Sequence, residues 1–361
     1  MEPTRRDYSL LGLDAKAAVE NGLAAAEWYR CDIPRKRMKE LMQRRDAPAL
    51  RDTGLWIALL IGCSGGAIAL WGTWWCVPFF LVYGVFYGSA SDSRWHECGH
   101  GTAFRTGWLN DVVYNIACFM IMREPTIWRW SHTRHHTDTI IVGRDPEIAA
   151  MRPPAILTIL SNLFAIASTW NAARHIVIHA TGRLTEEEKT FVPEMEWWKV
   201  FLVARIWLAI HAASFGLSLT LHSWLPAMLI GVLPTMYGGW LALYFGLTQH
   251  AGLAENVLDH RLNARTVYMN PVFRFIYWNM NYHVEHHMFP MVPYHALAEL
   301  HKAMLADTPR PYASTIEAYR EILPAMLRQL RDPEYYVRRA LPTTARPYRP
   351  DLHGEVVCPA A

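Results

Sequence analysis

Residues 54–91 contain no Asp, Glu, Lys or Arg, and neither do residues 206–254. These two runs constrain the fold more than any other feature. A helix needs roughly 20 apolar residues to cross a hydrocarbon core of about 30 Å. Each run, the second extended by residues 200–204, therefore has room for two crossings joined by a tight turn. The turns fall near residues 72–75 and 222–226. The expected fold is an all-α integral membrane protein with four transmembrane helices in two hairpins, at residues 54–72, 74–92, 200–222 and 225–248. The membrane domain covers residues 54–301, between an N-terminal segment, 1–53, and a C-terminal segment, 302–361. The mean hydropathy of +0.02 averages spans and polar segments and describes neither.

Neither turn holds a Lys or Arg, whereas residues 35–45 read RKRMKELMQRR and the middle and C-terminal segments are Arg-rich. The positive-inside rule puts those three segments in the cytoplasm, with both termini, and leaves only the turns outside. Trp71, Trp74, Trp75 and Trp224 then fall at the outer edge, where amphipathic rings prefer to sit. No cleavable signal peptide is expected, because the first 50 residues are polar. Residues 108–122 and 154–180 are apolar but broken by Asn, Arg and His, and read as amphipathic helices at the interface. Residues from 343 onward, rich in proline and without periodicity, read as an extended strap or a frayed end. A net charge of +3 argues against nucleic-acid binding. Six cysteines without a CxxC pair form neither a disulfide scaffold nor a zinc ribbon.

The 17 histidines are clustered. His96 and His100, in HECGH, follow the second span, and their i, i+4 spacing puts both rings on one helix face. The order also matches HExxH, but this helix emerges from a membrane rather than lining a soluble cleft. His132, His135 and His136 lie in WRWSHTRHHTDT. His283, His286 and His287 repeat the same HxxHH spacing in NMNYHVEHHMFP. All eight fall on the cytoplasmic side. His250, in LTQHAG, ends the fourth span on that same face and is a ninth candidate ligand. His175 and His179 form another i, i+4 pair on an interfacial helix and read as structural, as do His211 and His222. His260, His295, His301 and His353 show no supporting pattern.

One zinc takes three or four protein ligands. Eight or nine imidazoles divide between two metals, and imidazole suits iron, copper, zinc and nickel alike. A metal pair at the mouth of membrane hairpins suits O2 activation against apolar C–H bonds, since the substrate can enter from the bilayer.

In the order HECGH, HTRHH and HVEHH, with two spans before the first box and two between the second and third, the chain resembles the membrane fatty-acid desaturase/hydroxylase superfamily. The likeness extends to GRDPE and to NYHVEHHMFPMVPYHALAELH, and covers residues 55–301. It implies a non-haem di-iron centre that reduces O2 and oxidises an unactivated C–H bond. Carried over, His96, His100, His132, His135, His136, His283, His286 and His287 are iron ligands, and His250 matches the further ligand before the third box. Animal acyl-CoA desaturases carry an Asn four residues before that histidine, where this chain has Gly246; this weighs against the acyl-CoA branch.

Metal-bound imidazoles donate their other N–H to a carboxylate or carbonyl. Asp138 is the first candidate, followed by Glu97, Glu285 and Asp145, with Asn281 orienting the third box. The expected activity is desaturation of an acyl chain or other lipid with two iron ions and O2, in a bacterial inner membrane. Hydroxylation of an alkane, terpenoid or small metabolite is the alternative from the same ligand set. With no HPGG segment, electrons are expected from a separate ferredoxin, rubredoxin or cytochrome b5 with its reductase. A membrane zinc hydrolase would use fewer of the histidines, and a transporter would place ligands in mid-membrane.

Overall fold

The computed structural model describes residues 6–348. The expected strap is thus described only to residue 348, and His353 lies outside the described residues. The described residues are helical throughout, with only two isolated bridges, Thr266 to Tyr282 and Val267 to Tyr312. The helices that position the site are α1 (Asp46–Ala69), α2 (Cys76–Gly84), α3 (Ala90–Gly99), α4 (Gly107–Met120), α5 (Pro125–Thr137), α6 (Ile166–Ala180) and α7 (Trp197–Thr220). They continue with α8 (Leu225–Leu229), α9 (Val232–Gly238), α10 (Trp240–His250), α11 (His283–Met288), α12 (Leu297–Met304) and α13 (Thr315–Gln329).

Two stretches are long and apolar enough to cross a membrane, Arg35–Ala69 and Glu194–Thr220. A third crossing results if Ile156–Phe164 and Ile166–Ala180, bent by 82° at Ala165, count as one span. Residues 154–180 therefore hold a candidate span where interfacial helices were expected. Among the described residues, the expected second and fourth spans are not single long α-helices. The second expected span, 74–92, passes from α2 through a π-helical turn, Val85–Ser89, straight into α3. The fourth, 225–248, is cut into α8, α9 and α10.

The cuts have local causes. Pro226 and Pro234 cannot donate a helical hydrogen bond, and Gly231 takes a φ of +101° that ordinary side chains avoid. Backbone groups freed in an apolar setting need partners, and the neighbouring elements supply them. Tyr83 and Tyr237 donate to the carbonyls of Leu229 and Met228 at 2.6 and 2.7 Å. Ser214 donates to Ile230 O, and Tyr87 Oη accepts from Gly231 N at 3.0 Å. Ser89, in the π turn, donates to Gly238 O and accepts from Ala242 N. A Cβ on Gly238 would lie 1.8 Å from Gly84 O, so glycine alone lets α9 press against α2.

The two turns lie side by side. Ala67, Cys76 and Phe80 pack with Leu225, Met228, Leu229 and Tyr237. Trp71, Trp74, Trp75 and Trp224 are exposed at this end. On α4, Trp108, Val112 and Ile116 form an exposed apolar stripe at helical spacing, while Asn110, Val113, Tyr114 and Ala117 face inward. The polar ends of α3, α5, α10 and α11 meet away from the turns, and the histidines are there.

Candidate metal centre

The first pair comes from the end of α3, where His96 and His100 sit one turn apart. Arg94 fixes this helix. Fully buried among Trp56, Phe275 and Trp278, it donates to the carbonyls of Ala90 and Ile276 at 2.9 and 3.0 Å. Charge at such depth is costly unless its hydrogen bonds are met, so Arg94 clamps α3 to the chain before the third box. The second triplet lies on α5, whose start is set by Pro125 in the first turn and by the Glu124 carboxylate accepting from Ile127 N at 2.7 Å. His250 is the last residue of α10, and α11 carries the third triplet.

All nine candidates converge, in two groups. His96, His100, His132, His136 and His286 bring one ring nitrogen each within 4.8 Å of all the others, and so do His135, His250 and His287. His283 joins the second group, with Nε2 at 2.9 Å from His250 Nε2 and 3.0 Å from His287 Nε2.

The nitrogens that meet are the Nε2 atoms. His96 and His286 approach to 2.7 Å, and His132 lies 3.0 to 3.2 Å from His100, His96 and His136. Behind four of the rings, His132, His135, His250 and His287, the Nδ1 atom is engaged, whereas Nδ1 of His136, His283 and His286 is buried without a hydrogen bond. His250 Nδ1 lies 2.6 Å from the Asn263 carbonyl, which only accepts, so its proton is on Nδ1 and its Nε2 is a bare lone pair. Thr139 donates to His135 O and hence accepts from His287 Nδ1 at 3.3 Å. His135 Nδ1 donates to Asp145 at 2.8 Å, and His132 Nδ1 to Glu147 at 3.0 Å. Lone pairs converging at such distances repel, and one N–H cannot point at three neighbours. A cation inside each group removes the conflict. Ligands about 2.1 Å from a metal and at right angles to each other lie about 3.0 Å apart, as these do.

The electrostatics favour neutral, ligating imidazoles. Burial, reinforced by neighbouring histidines, pushes His96, His100, His136, His250, His283, His286 and His287 well below the ordinary 6.5. His135 is the exception: burial would lower it, but the Asp145 carboxylate prevails and raises it. Burial would likewise raise Glu147, yet His132 draws it down to about 2. Glu97, fully buried without a hydrogen bond to its carboxylate, is pushed up to about 8 by burial. One of its oxygens is 3.4 Å from His286 Nδ1.

The supporting groups differ from those the sequence singled out. Asp138 touches no histidine; it accepts from Ala25 N and Arg144 Nε at 3.0 and 2.9 Å. Glu285 faces away from the box rings and binds His301 Nδ1 and Thr266 Oγ1, both at 2.5 Å. Asn281 anchors the segment before α11, exchanging hydrogen bonds with the backbone of Val267. Of the expected groups, Asp145 does face a ring, and Glu97 lies near one. Glu147 and the Asn263 carbonyl were missed. Glu147 belongs to the GRDPE segment, which turns back at Gly143 so that both acids reach α5. A Cβ at Gly143 would lie 2.4 Å from Ala15 N, and its φ is +74°. His260 is buried under Trp28, stacked at 4.3 Å, with Nδ1 on Asn263 Oδ1, and lies in neither group. His175 and His179, read as structural, meet Glu188 in a third group.

A family model described as fatty acid desaturase matches residues 72–319. The chain is 21% identical over 299 residues to the sn-1 oleoyl-lipid 12-desaturase of Anabaena variabilis, across 79% of this chain and 71% of that one. It is 25% identical over 275 residues to the Delta(12) fatty acid desaturase FAD2 of Calendula officinalis, across 67% and 68%. The Delta(5) fatty acid desaturase fat-4 of Caenorhabditis elegans is 25% identical over 231 residues, and the match spans about half of each chain, 56% and 51%.

Proposed function

Because the chain belongs to the fatty acid desaturase family, a family of oxidoreductases, we propose that it introduces a double bond into the acyl chain of a lipid, using O2 and external electrons. The observation that carries this reading is the convergence of nine buried or half-buried imidazoles in two groups, with acceptors placed behind four of the rings. His96, His100, His132, His136 and His286 would hold one iron ion, and His135, His250, His283 and His287 the other. Two irons held there would supply the O2-derived oxidant that unactivated methylene groups require, with two electrons from the substrate and two from the external donor reducing O2 to water.

The chain's own residues do the rest. Asp145, Glu147, the Asn263 carbonyl and the Thr139 hydroxyl hold Nδ1 protons and so aim the Nε2 lone pairs inward. Tilting of the rings is resisted because each acceptor is itself fixed; Asp145, for example, also accepts from Ile140 N at 2.7 Å. Six of the nine histidines are buried and three half-buried, which limits the access of bulk water to the site. We place the site at the edge of the bilayer, with both termini on the cytoplasmic side of a bacterial inner membrane; the candidate spans Arg35–Ala69 and Glu194–Thr220 support a membrane location. Electrons would come from a ferredoxin, a rubredoxin or cytochrome b5 with its reductase.

Expression with a compatible reductase, followed by mass spectrometry of lipid extracts, tests the activity. Desaturation gives acyl species lighter by two hydrogens. Species heavier by one oxygen would instead assign hydroxylation, the alternative outcome at the same ligand set.

A further inference from the structure

We propose that His175, His179 and Glu188 form a separate site for a divalent zinc ion, built on α6 and the turn that follows it. His175 and His179 project from one face of α6. His175 Nδ1 lies 2.9 Å from Glu188 Oε1, and His179 Nε2 lies 3.1 Å from both carboxylate oxygens. One atom from each residue falls within 4.8 Å of the other two. None of the three belongs to the nine-histidine centre.

The carboxylate is held in place independently of the histidines. Thr185 N donates to Glu188 Oε2 at 2.8 Å, and Glu188 N donates back to Thr185 Oγ1 at 3.2 Å. This reciprocal pair fixes the turn and leaves Oε1 facing both rings. Burial alone would raise the Glu188 carboxyl, but the two histidines outweigh it and hold it far below the usual carboxylate range. It is therefore an anion, ready to ligate. Two imidazoles and a carboxylate, with a fourth position for water, form a donor set suited to zinc. His175 has a partly exposed side chain, at 30%, which gives an ion a way in.

Hydrogen bonding among the three residues crowds the carboxylate: His175 Nδ1 and His179 Nε2 both converge on Glu188 Oε1, at 2.9 and 3.1 Å. A zinc ion between them would take one atom from each residue, with each imidazole neutral and its proton on the far ring nitrogen.

The test uses the full-length, detergent-purified protein loaded with iron, titrated with zinc and then freed of loose metal by gel filtration. Element-resolved mass spectrometry is expected to find zinc at roughly one per chain in the wild type. His175→Ala and Glu188→Gln are expected to weaken zinc retention at least tenfold, whereas His135→Ala loses iron and keeps its zinc. Equal zinc retention by wild type, His175→Ala and Glu188→Gln would overturn the proposal. Joint loss of zinc and iron in His135→Ala would overturn the independence of the site. Should Glu188→Gln fail to fold because its turn depends on the carboxylate, His175→Ala decides alone. Cobalt(II), as a spectroscopic stand-in, should then give a visible spectrum in the wild type that His175→Ala lacks.

Discussion

The same i, i+4 histidine pair stands at the end of α3, His96 with His100, and on α6, His175 with His179. Their surroundings make them different objects. On α3 the rings lean toward histidines from α5 and α11, and the acids of the centre stand behind other rings. On α6 the single acid, Glu188, stands in front, between the rings. The spacing presents two imidazoles in both places; what faces the second nitrogen decides what they hold. A histidine whose Nδ1 is engaged, as in His132, His135, His250 and His287, has only Nε2 to offer, which suits the two-metal centre proposed for the nine rings. A histidine pair that shares one carboxylate would make the smaller site proposed for zinc.

The largest effects should come from the centre itself. His132→Ala or His286→Ala should cut turnover to background, about a hundredfold or more, with loss of iron. Iron loading and turnover that survive in either variant would remove that residue from the ligand set. Next come the acceptors behind the rings. Glu147→Gln and Asp145→Asn should lower metal affinity or turnover by about 10- to 100-fold while the histidines stay in place. Asp138→Asn separates the carboxylate that faces no ring from those that do. Loss of its buried acceptor for Arg144 and Ala25 should cost about 1–3 kcal/mol in thermal stability but leave the iron content intact. An iron deficit in Asp138→Asn as deep as in Asp145→Asn would erase that distinction.

The smallest effects are on the α6 side and in acid. His175→Ala should keep turnover within about twofold, since an ion site outside the nine-histidine centre adds little to the chemical step. For the metal-free protein, the sign of the pH effect follows from the depressed imidazoles of the centre. The unfolded chain takes up their protons near pH 6.5 while the fold still refuses them, so its stability is complete above about pH 6.5 and falls as the pH drops below it. Melting curves in detergent across that range would read this directly; a melting temperature that rises on acidification would contradict the burial of neutral rings.

Much of the centre was legible in the order of residues because helical spacing is local. HxxxH and HxxHH place rings on one face wherever a helix forms, and the eight box histidines singled out this way converge, joined by His250 from the end of the fourth apolar run. The groups behind them were harder to read. Asp138 adjoins the second box in sequence, yet its side chain is captured by Arg144 and the backbone of Ala25, whereas Glu147 arrives 15 residues after His132 through a turn that needs Gly143. The Asn263 carbonyl is a backbone group that no side-chain pattern announces. In the membrane part, hydropathy finds apolar runs but not their continuity. Pro226, Gly231 and Pro234 break the fourth run, and the partners that make the break tolerable, Tyr83, Tyr87 and Ser89, come from another helix.

The central claim is that the nine histidines hold two irons. Metal analysis of the purified, fully loaded protein, in wild type and in His250→Ala, tests it most directly. The account predicts about two irons per chain in the wild type and roughly half of that in His250→Ala, because this residue belongs to only one of the two groups. Wild-type protein that holds zinc in both groups and no iron, or His250→Ala that keeps its full iron content, would contradict it.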